Sequence, residues 1–337
     1  MKPPEVTIAI PTYNREGLLP RAIGSALSQT HRDIEVVVCD DGSTDGTQAL
    51  LAGYRDERLR VVRQPENRGM FVNMNSCLSS ARGEFFLMLS DDDYLEPDCV
   101  ESLLAPWRKH GTLSMAYGQW WYHKPGGREL QAGAGPEIED GWSYIREYWE
   151  GKRPTILHGS LFRTRDIVRT GGIPEGYAQD AMLTLRIAFE GPVAHVARPV
   201  TNYCLQPESN THRIALFTLI RDMDSLLEMC LRIGGRKAVP EAALLRLERS
   251  VRRRLSTAAA FGIVSLVGKG HPRIEVLREA YRLRRYLGRR IGLCAAAVFG
   301  AALLPRGAVN VLRRARRKRD GLPADPAALG LTRDDGA

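Results

Sequence analysis

The sequence predicts an α/β fold: a mostly parallel sheet flanked by helices, with a C-terminal helical extension. Three observations predict it. Short β-rich apolar runs alternate with helical stretches over the first third of the chain. Each run ends on polar residues. The last third reads as helix with a strong basic excess.

Val6-Thr7-Ile8-Ala9-Ile10 is a β-rich run closed by Pro11, and a helix is expected from Gly17 to Gln29. Ile34 to Cys39 reads as a second, buried strand. Asp40-Asp41-Gly42-Ser43-Thr44-Asp45-Gly46 reads as a turn carrying a helix N-cap. Leu59 to Val62 is the third strand and Phe71 to Ala81 a helix. Glu84 to Leu89 is the fourth strand, running straight into Asp91-Asp92-Asp93. Ligands on parallel sheets bind beyond the carboxyl ends of the strands. Here those ends carry Thr12-Tyr13-Asn14-Arg15, Asp40-Asp41 and the three aspartates. The sequence has no GxGxxG and no P-loop signature, so a dinucleotide-binding dehydrogenase and a P-loop NTPase both lose support.

From 112 to 213 the pattern is less regular, with short strands, Gly-Pro turns and the aromatic clusters Trp120-Trp121-Tyr122-His123 and Trp142, Tyr144, Tyr148 and Trp149. Core packing is the expectation for most of these rings, and sugar stacking for one or two. After 214 the chain reads as helices. Ile291 to Leu304 is an uncharged apolar stretch between Arg289-Arg290 and Arg306. It is shorter than the roughly 20 residues a membrane span needs, which suits an interfacial or docked helix. Gly321 to Ala337 reads as a loose tail.

At 337 residues, 44% hydrophobic and 26% charged, the chain has the composition of a soluble globular protein, not of a disordered, collagenous or multi-span one. The six cysteines form no CxxC pair, which argues against a zinc ribbon or disulfide framework. With no apolar leader after Met1, the expected location is cytoplasmic. The net charge of +9 is uneven: residues 251–320 hold 18 Lys+Arg and 3 Asp+Glu, +15, leaving −6 on the remainder. Arginines around an apolar stretch favour an anionic membrane surface, a peripheral position on the inner face of the plasma membrane, over nucleic acid, for which no binding module is present.

Three adjacent carboxylates ionise together at a cost unless a cation compensates, and hard oxygen ligands suit Mg2+ or Mn2+. An isolated Asp-Asp-Asp is more often a solvated turn, and Asp93 is placed to cap a helix starting near Pro97. Its position at a buried strand end, opposite two other polar strand ends, favours a metal-binding role.

Ala9-Ile10-Pro11-Thr12-Tyr13-Asn14-Arg15 and Val38-Cys39-Asp40-Asp41-Gly42-Ser43-Thr44-Asp45 resemble the first two motifs of the family 2 glycosyltransferases. Glu66-Asn67-Arg68-Gly69, Asn75 and Gly83-Glu84 resemble the stretch before that family's metal site. Leu89-Ser90-Asp91-Asp92-Asp93 with Pro97 resembles its DxD region, and Gly171-Gly172-Ile173 with Gln179-Asp180 through Arg186 its late acidic motif. The ordered set covers about residues 5–213. It departs from the family at Ser90, where Asp is common, and at Gln179, where Glu is frequent.

The resemblance implies a GT-A fold, with residues 1–213 as catalytic domain (about 1–110 binding nucleotide, 111–213 binding acceptor) and 214–337 as a basic helical region with the loose tail. It implies inverting transfer from a nucleotide-sugar donor, with UDP favoured, to a saccharide or lipid-linked saccharide. Carried onto matching positions, Pro11, Thr12, Tyr13 and Arg15 line the nucleotide pocket, and Asp41 and Arg68 serve the base or diphosphate. Asp91 binds the ribose, Asp92 the metal, with Asp93 assisting through water, and Asp180 is the catalytic base. His158, in His158-Gly159-Ser160, and His212, in Ser209-Asn210-Thr211-His212-Arg213, are the histidines of interest; a lone histidine is more often structural, and His212 joins the metal-side candidates. Helix N-capping is the alternative reading of Asp180.

The chemistry agrees with this division. Inverting transfer needs one base for the acceptor hydroxyl and charge neutralisation on the departing diphosphate. A glycosidase would instead set two carboxyls about the bond. Two alternatives stay open: a sugar-phosphate nucleotidyltransferase, usually marked by a glycine-rich basic loop after strand one, and a non-catalytic membrane-associated scaffold.

Overall fold

A computed structural model describes residues 2–131, 135–176, 178–205 and 216–268, with a few positions between 278 and 286. The elements are, in order, β1 (Val6–Thr12), α1 (Leu19–Leu27), β2 (Ile34–Asp40), α2 (Thr47–Ala52), β3 (Leu59–Arg63), α3 (Met70–Ser80), β4 (Phe85–Met88), β5 (Tyr94–Leu95) and α4 (Cys99–His110). There follow β6 (Met115–Lys124), β7 (Gly127–Gln131), β8 (Ile138–Glu139), α5 (Gly141–Trp149), β9 (Ser160–Arg163), α6 (Thr164–Arg169), α7 (Gln179–Ala188), β10 (Val193–Cys204), α8 (Leu216–Arg236) and α9 (Glu241–Gly268).

The strands form one sheet in the order β3-β2-β1-β4-β9-β6-β10-β5, with β7 on β6 and β8 on β10. From β3 to β4 every pairing is parallel. β9 then enters antiparallel between β4 and β6, while β6 and β10 pair in parallel. The sheet is thus α/β as expected, with its antiparallel pairings gathered in the second half. The first half is apolar on both faces because helices cover both: on one face Ile8, Ile10, Val36, Val38 and Leu87 pack with Leu19 and Ile23 of α1 and with Leu103 and Trp107 of α4, all fully or nearly buried, and α3 lies against β1 and β2 on the other. Each such side chain contributes about 1.5–3 kcal/mol of burial.

Pro11 does not end the first strand. Alternation directs Ala9 and Pro11 toward β4, and β4 pairing stops at Ala9–Met88, so the missing N–H of Pro11 faces no ladder partner while β1 continues along β2 to Thr12. The first helix is shorter than expected, starting at Leu19, with Pro20 in its first turn pre-set for the helix.

The chain divides into two compact units, residues 1–209 with 232–239, and 210–231 with 240–337. In the second, Arg252 of α9 meets Asp224 and Glu228 of α8. The apolar stretch 291–304, most of the basic region 251–320 and the tail lie outside the described residues. Among the described residues no helix is long and apolar enough to cross a membrane, and the five described cysteines are buried and form no disulfide.

Candidate active site

The ends of β1 and β2 and the loop before α3 form one cross-braced floor. The buried Asp41 carboxylate accepts the Arg68 amide on Oδ1 at 3.0 Å and the Gly69 amide on Oδ2 at 2.9 Å. Its own N–H donates to the Thr12 carbonyl at 2.9 Å. Hydrogen bonds to a charged group contribute about 1.5–3 kcal/mol each, so this carboxylate is held before any ligand arrives. Asn73 donates to the Cys39 carbonyl at 2.8 Å from the other side. Gly42 closes the loop at φ +72°, and a Cβ there would stand 2.6 Å from the Glu66 carbonyl carbon. Only glycine fits both demands.

Against this floor sits Asp91. Burial pushes its carboxyl up to about 6, and Asp92 adds to the rise. The Thr12 hydroxyl, the Arg15 guanidinium and the Tyr13 amide oppose it. Arg15 Nε stands 3.8 Å away. Tyr13 is 40% exposed beside the strand end, with its ring free to meet a planar ligand. Thr12, Tyr13, Arg15 and Asp91 therefore converge, with Pro11 and Asp41 adjacent. The exposed Arg68 contributes its backbone, not its guanidinium, to the floor.

Asp92 is half-buried, and its carbonyl accepts from Arg21, whose guanidinium also lies over the Tyr94 ring at 4.9 Å. Asp93 does not take the capping role weighed as its alternative. The next helix, α4, begins at Cys99 with Asp98 at its N-cap. Asp93 is 1% exposed, and its Oδ1 accepts the Cys204 amide at 2.8 Å, pinning the end of β10. Burial, then the charge of Asp92, hold this carboxyl well above the usual range. Among the described residues no three acids, histidines or cysteines surround a common metal position. Asp91 and Asp92 supply hard oxygens only, which fits a Mg2+ or Mn2+ ion that completes its shell with water and substrate phosphates.

Asp180 is the second residue of α7, after Ala178 at the N-cap, so it does not cap that helix. Burial raises its carboxyl, and the His158 ring and the Leu157 amide oppose the rise. Burial in turn keeps His158 toward its neutral form, and the charges of both Asp180 and Asp92 bear on it. The charges of Asp180 and Asp92, 88 positions apart in the sequence, are thus both felt at one imidazole. That ring stacks on Tyr203 with centroids 5.4 Å apart, and Tyr203 stacks on Tyr122 at 5.5 Å.

The lead-in to α7 is fixed from α3. Asn75 donates to the Ile173 carbonyl at 2.9 Å and accepts the Ile173 amide at 2.9 Å. Arg186 donates to the Gly172 carbonyl. Gly172 has φ +77°, and a Cβ there would meet Asn75 Oδ1 at 2.7 Å. Gln179 is buried with Oε1 unpartnered. Of the aromatic clusters, Tyr144 and Trp149 are core, while Trp120 to His123 are half-buried along β6. His212 lies outside the described residues. Sequence reasoning singled out His158 without giving it a role and passed over Leu157 and Arg21. The only signal at His158 was its position just ahead of a short strand. A surface groove of about 500 Å³ runs along α3 and is lined by none of the carboxylates.

The profile of the glycosyl transferase family 2 matches residues 7–169. The chain is 32% identical to the chondroitin synthase of Escherichia coli over 214 residues, 62% of this chain and 30% of that protein, so it spans under a third of that relative's length. Among solved structures it is similar to S. aureus TarS 1-349 in complex with UDP-GlcNAc, at TM-score 0.68 and 16% identity, over 95% of this chain and 93% of that one. It is also similar to the mannosyltransferase PcManGT of Pyrobaculum calidifontis in complex with GDP-Man and Mn2+, at TM-score 0.53 and 21% identity, over 90% and 87% of the two chains. With the motifs, the mixed α/β sheet and the strand-end carboxylates in agreement, residues 7–169 are a glycosyl transferase family 2 domain and the fold is GT-A.

Proposed function

We propose that the chain is an inverting glycosyltransferase that moves a sugar from a nucleotide-diphosphate donor, UDP in the favoured reading, to a saccharide or lipid-linked saccharide in polysaccharide assembly. The observation that carries this reading is that the charges of Asp180 and Asp92 both bear on His158, because inversion needs a base on the side of the anomeric carbon opposite the departing diphosphate. Asp180, with its carboxyl raised toward neutrality, accepts the proton of the acceptor hydroxyl. Pro11, Thr12, Tyr13 and Arg15 line the nucleotide, Asp41 and Arg68 support the base, and Asp91 binds the ribose. Asp92, with Asp93 behind it, would hold a Mg2+ or Mn2+ ion together with the diphosphate. When bound, the ion supplies charge neutralisation on that leaving group. In this reading residues 1–213 form the catalytic domain, and the basic region within 214–337 meets an anionic membrane at the cytoplasmic face. Sedimentation with phosphatidylglycerol vesicles tests the last point, and no binding at low salt sinks it.

The decisive experiment incubates the protein and Mn2+ with UDP-GlcNAc, UDP-glucuronate, UDP-glucose, UDP-galactose and GDP-mannose and measures nucleotide release, with and without saccharide acceptors. Release of UDP or GDP is expected. Pyrophosphate formation from UTP and a sugar phosphate favours a nucleotidyltransferase instead, and silence in every assay favours a scaffold.

A further inference from the structure

We propose that His158 takes part in the transfer itself, with its Nε2 meeting the acceptor oxygen beside Asp180; this rests on the glycosyltransferase reading above. Nε2 is buried and has no hydrogen-bonding partner. Leaving a buried polar nitrogen unpaired is costly, so a fold that keeps one where the charge of the base is felt points to a partner brought by substrate. The ring is not loose. It stacks on Tyr203 at 5.4 Å with 29° between planes, and Tyr203 is the register partner of Tyr122 across β10 and β6. The backbone just before it also serves the base, since the Leu157 amide faces Asp180. One short segment therefore gives an amide to the base carboxylate and carries a buried, unpaired ring nitrogen on which the charges of Asp180 and Asp92 bear.

The step balances without a proton on His158. The acceptor O–H breaks and its proton passes to Asp180. The oxygen's electron pair forms the bond to the anomeric carbon, and the bond from that carbon to the diphosphate oxygen breaks, its pair leaving with the diphosphate. His158 stays neutral and donates its Nε2–H to the acceptor oxygen's other lone pair, which aims the attacking pair in line. Burial, which disfavours the imidazolium, is consistent with that role.

The test uses hydrolysis, with water standing in for the acceptor hydroxyl, on whichever donor of the five-member panel the wild type cleaves fastest in Mn2+. His158→Phe keeps a ring on Tyr203 and removes both nitrogens. The expected result is a kcat for nucleotide release lowered about 10- to 100-fold, as for a displaced reacting group, with nucleotide affinity by calorimetry within about twofold of wild type. A folded His158→Phe with wild-type kcat overturns the inference and leaves the transferase reading standing. A matched loss of nucleotide affinity assigns the ring to donor-pocket packing and overturns it too. A wild type that releases no nucleotide from any donor overturns the transferase reading and this inference with it. Should His158→Phe fail to fold, His158→Ala is read by the same two quantities, with the same outcomes for and against.

Discussion

On the parallel side of the sheet the Asp41 carboxylate is held by two backbone amides, whereas around Asp180 on the mixed side an imidazole nitrogen and a guanidinium nitrogen are buried without partners. Asp41 takes the amides of Arg68 and Gly69 on its two oxygens, and Asn73 locks the neighbouring carbonyl. Across the cleft, His158 Nε2, Gln179 Oε1 and Arg186 Nε are all buried and unpaired. The Asp41 carboxylate is therefore held before a ligand arrives, while Asn73 Oδ1 and Asp40 Oδ2 beside it are buried without a hydrogen-bonding partner. The wall that carries Asp180 keeps unspent hydrogen-bonding capacity, and that capacity belongs where a substrate changes shape during reaction. Damage to the floor should register in stability and affinity, and damage to the wall in rate.

The sharpest way to break this comparison is Asp180→Asn. Nucleotide release should fall about 100-fold or more, the range for loss of a positioned base, while calorimetric UDP affinity stays unchanged. Equal losses in rate and affinity would erase the distinction between floor and wall. The same residue sets a pH signature. Asp180 must be ionised to act, and its carboxyl is raised by burial, so kcat/KM should fall with acidification at a pH above the ordinary Asp value of about 3.9. A pH–rate profile flat down to that value would remove Asp180 as the base.

On the floor, Asp92→Ala should weaken Mn2+-dependent UDP binding about tenfold or more, read by calorimetry with and without metal. Equal affinities in the two conditions would take Asp92 out of the metal site. Gly42→Ala should cost about 2–4 kcal/mol in urea unfolding, because the new methyl meets backbone at 2.6 Å and φ is positive. Gly17→Ala is the control. Nothing lies within 4 Å of its Cβ position, so its effect should stay within about 1 kcal/mol of zero.

The floor was the legible part. Strand-end residues such as Thr12, Asp41 and Asp91 follow apolar runs whose length and β-branched content announce buried parallel strands, and the carboxyl end of such a strand is where a ligand goes. The wall was less legible because its geometry comes from strand order. β9 lies antiparallel between β4 and β6, and no local pattern in Ser160–Arg163 announces that insertion. His158 becomes meaningful only once β9 has been set there. Asp93 misled for a related reason: a carboxylate ahead of a helix looks like a cap, yet its partner is an amide 111 residues away.

Asn75 has a practical consequence for anyone recombining such enzymes. Its single amide joins α3 to the glycine loop that delivers the base, through two bonds to Ile173. A chimera that grafts a foreign first half lacking an amide at this position would keep two sound modules and lose their alignment. Its signature would be tight nucleotide binding without turnover, and donor specificity would be transplanted more safely with α3 left in place.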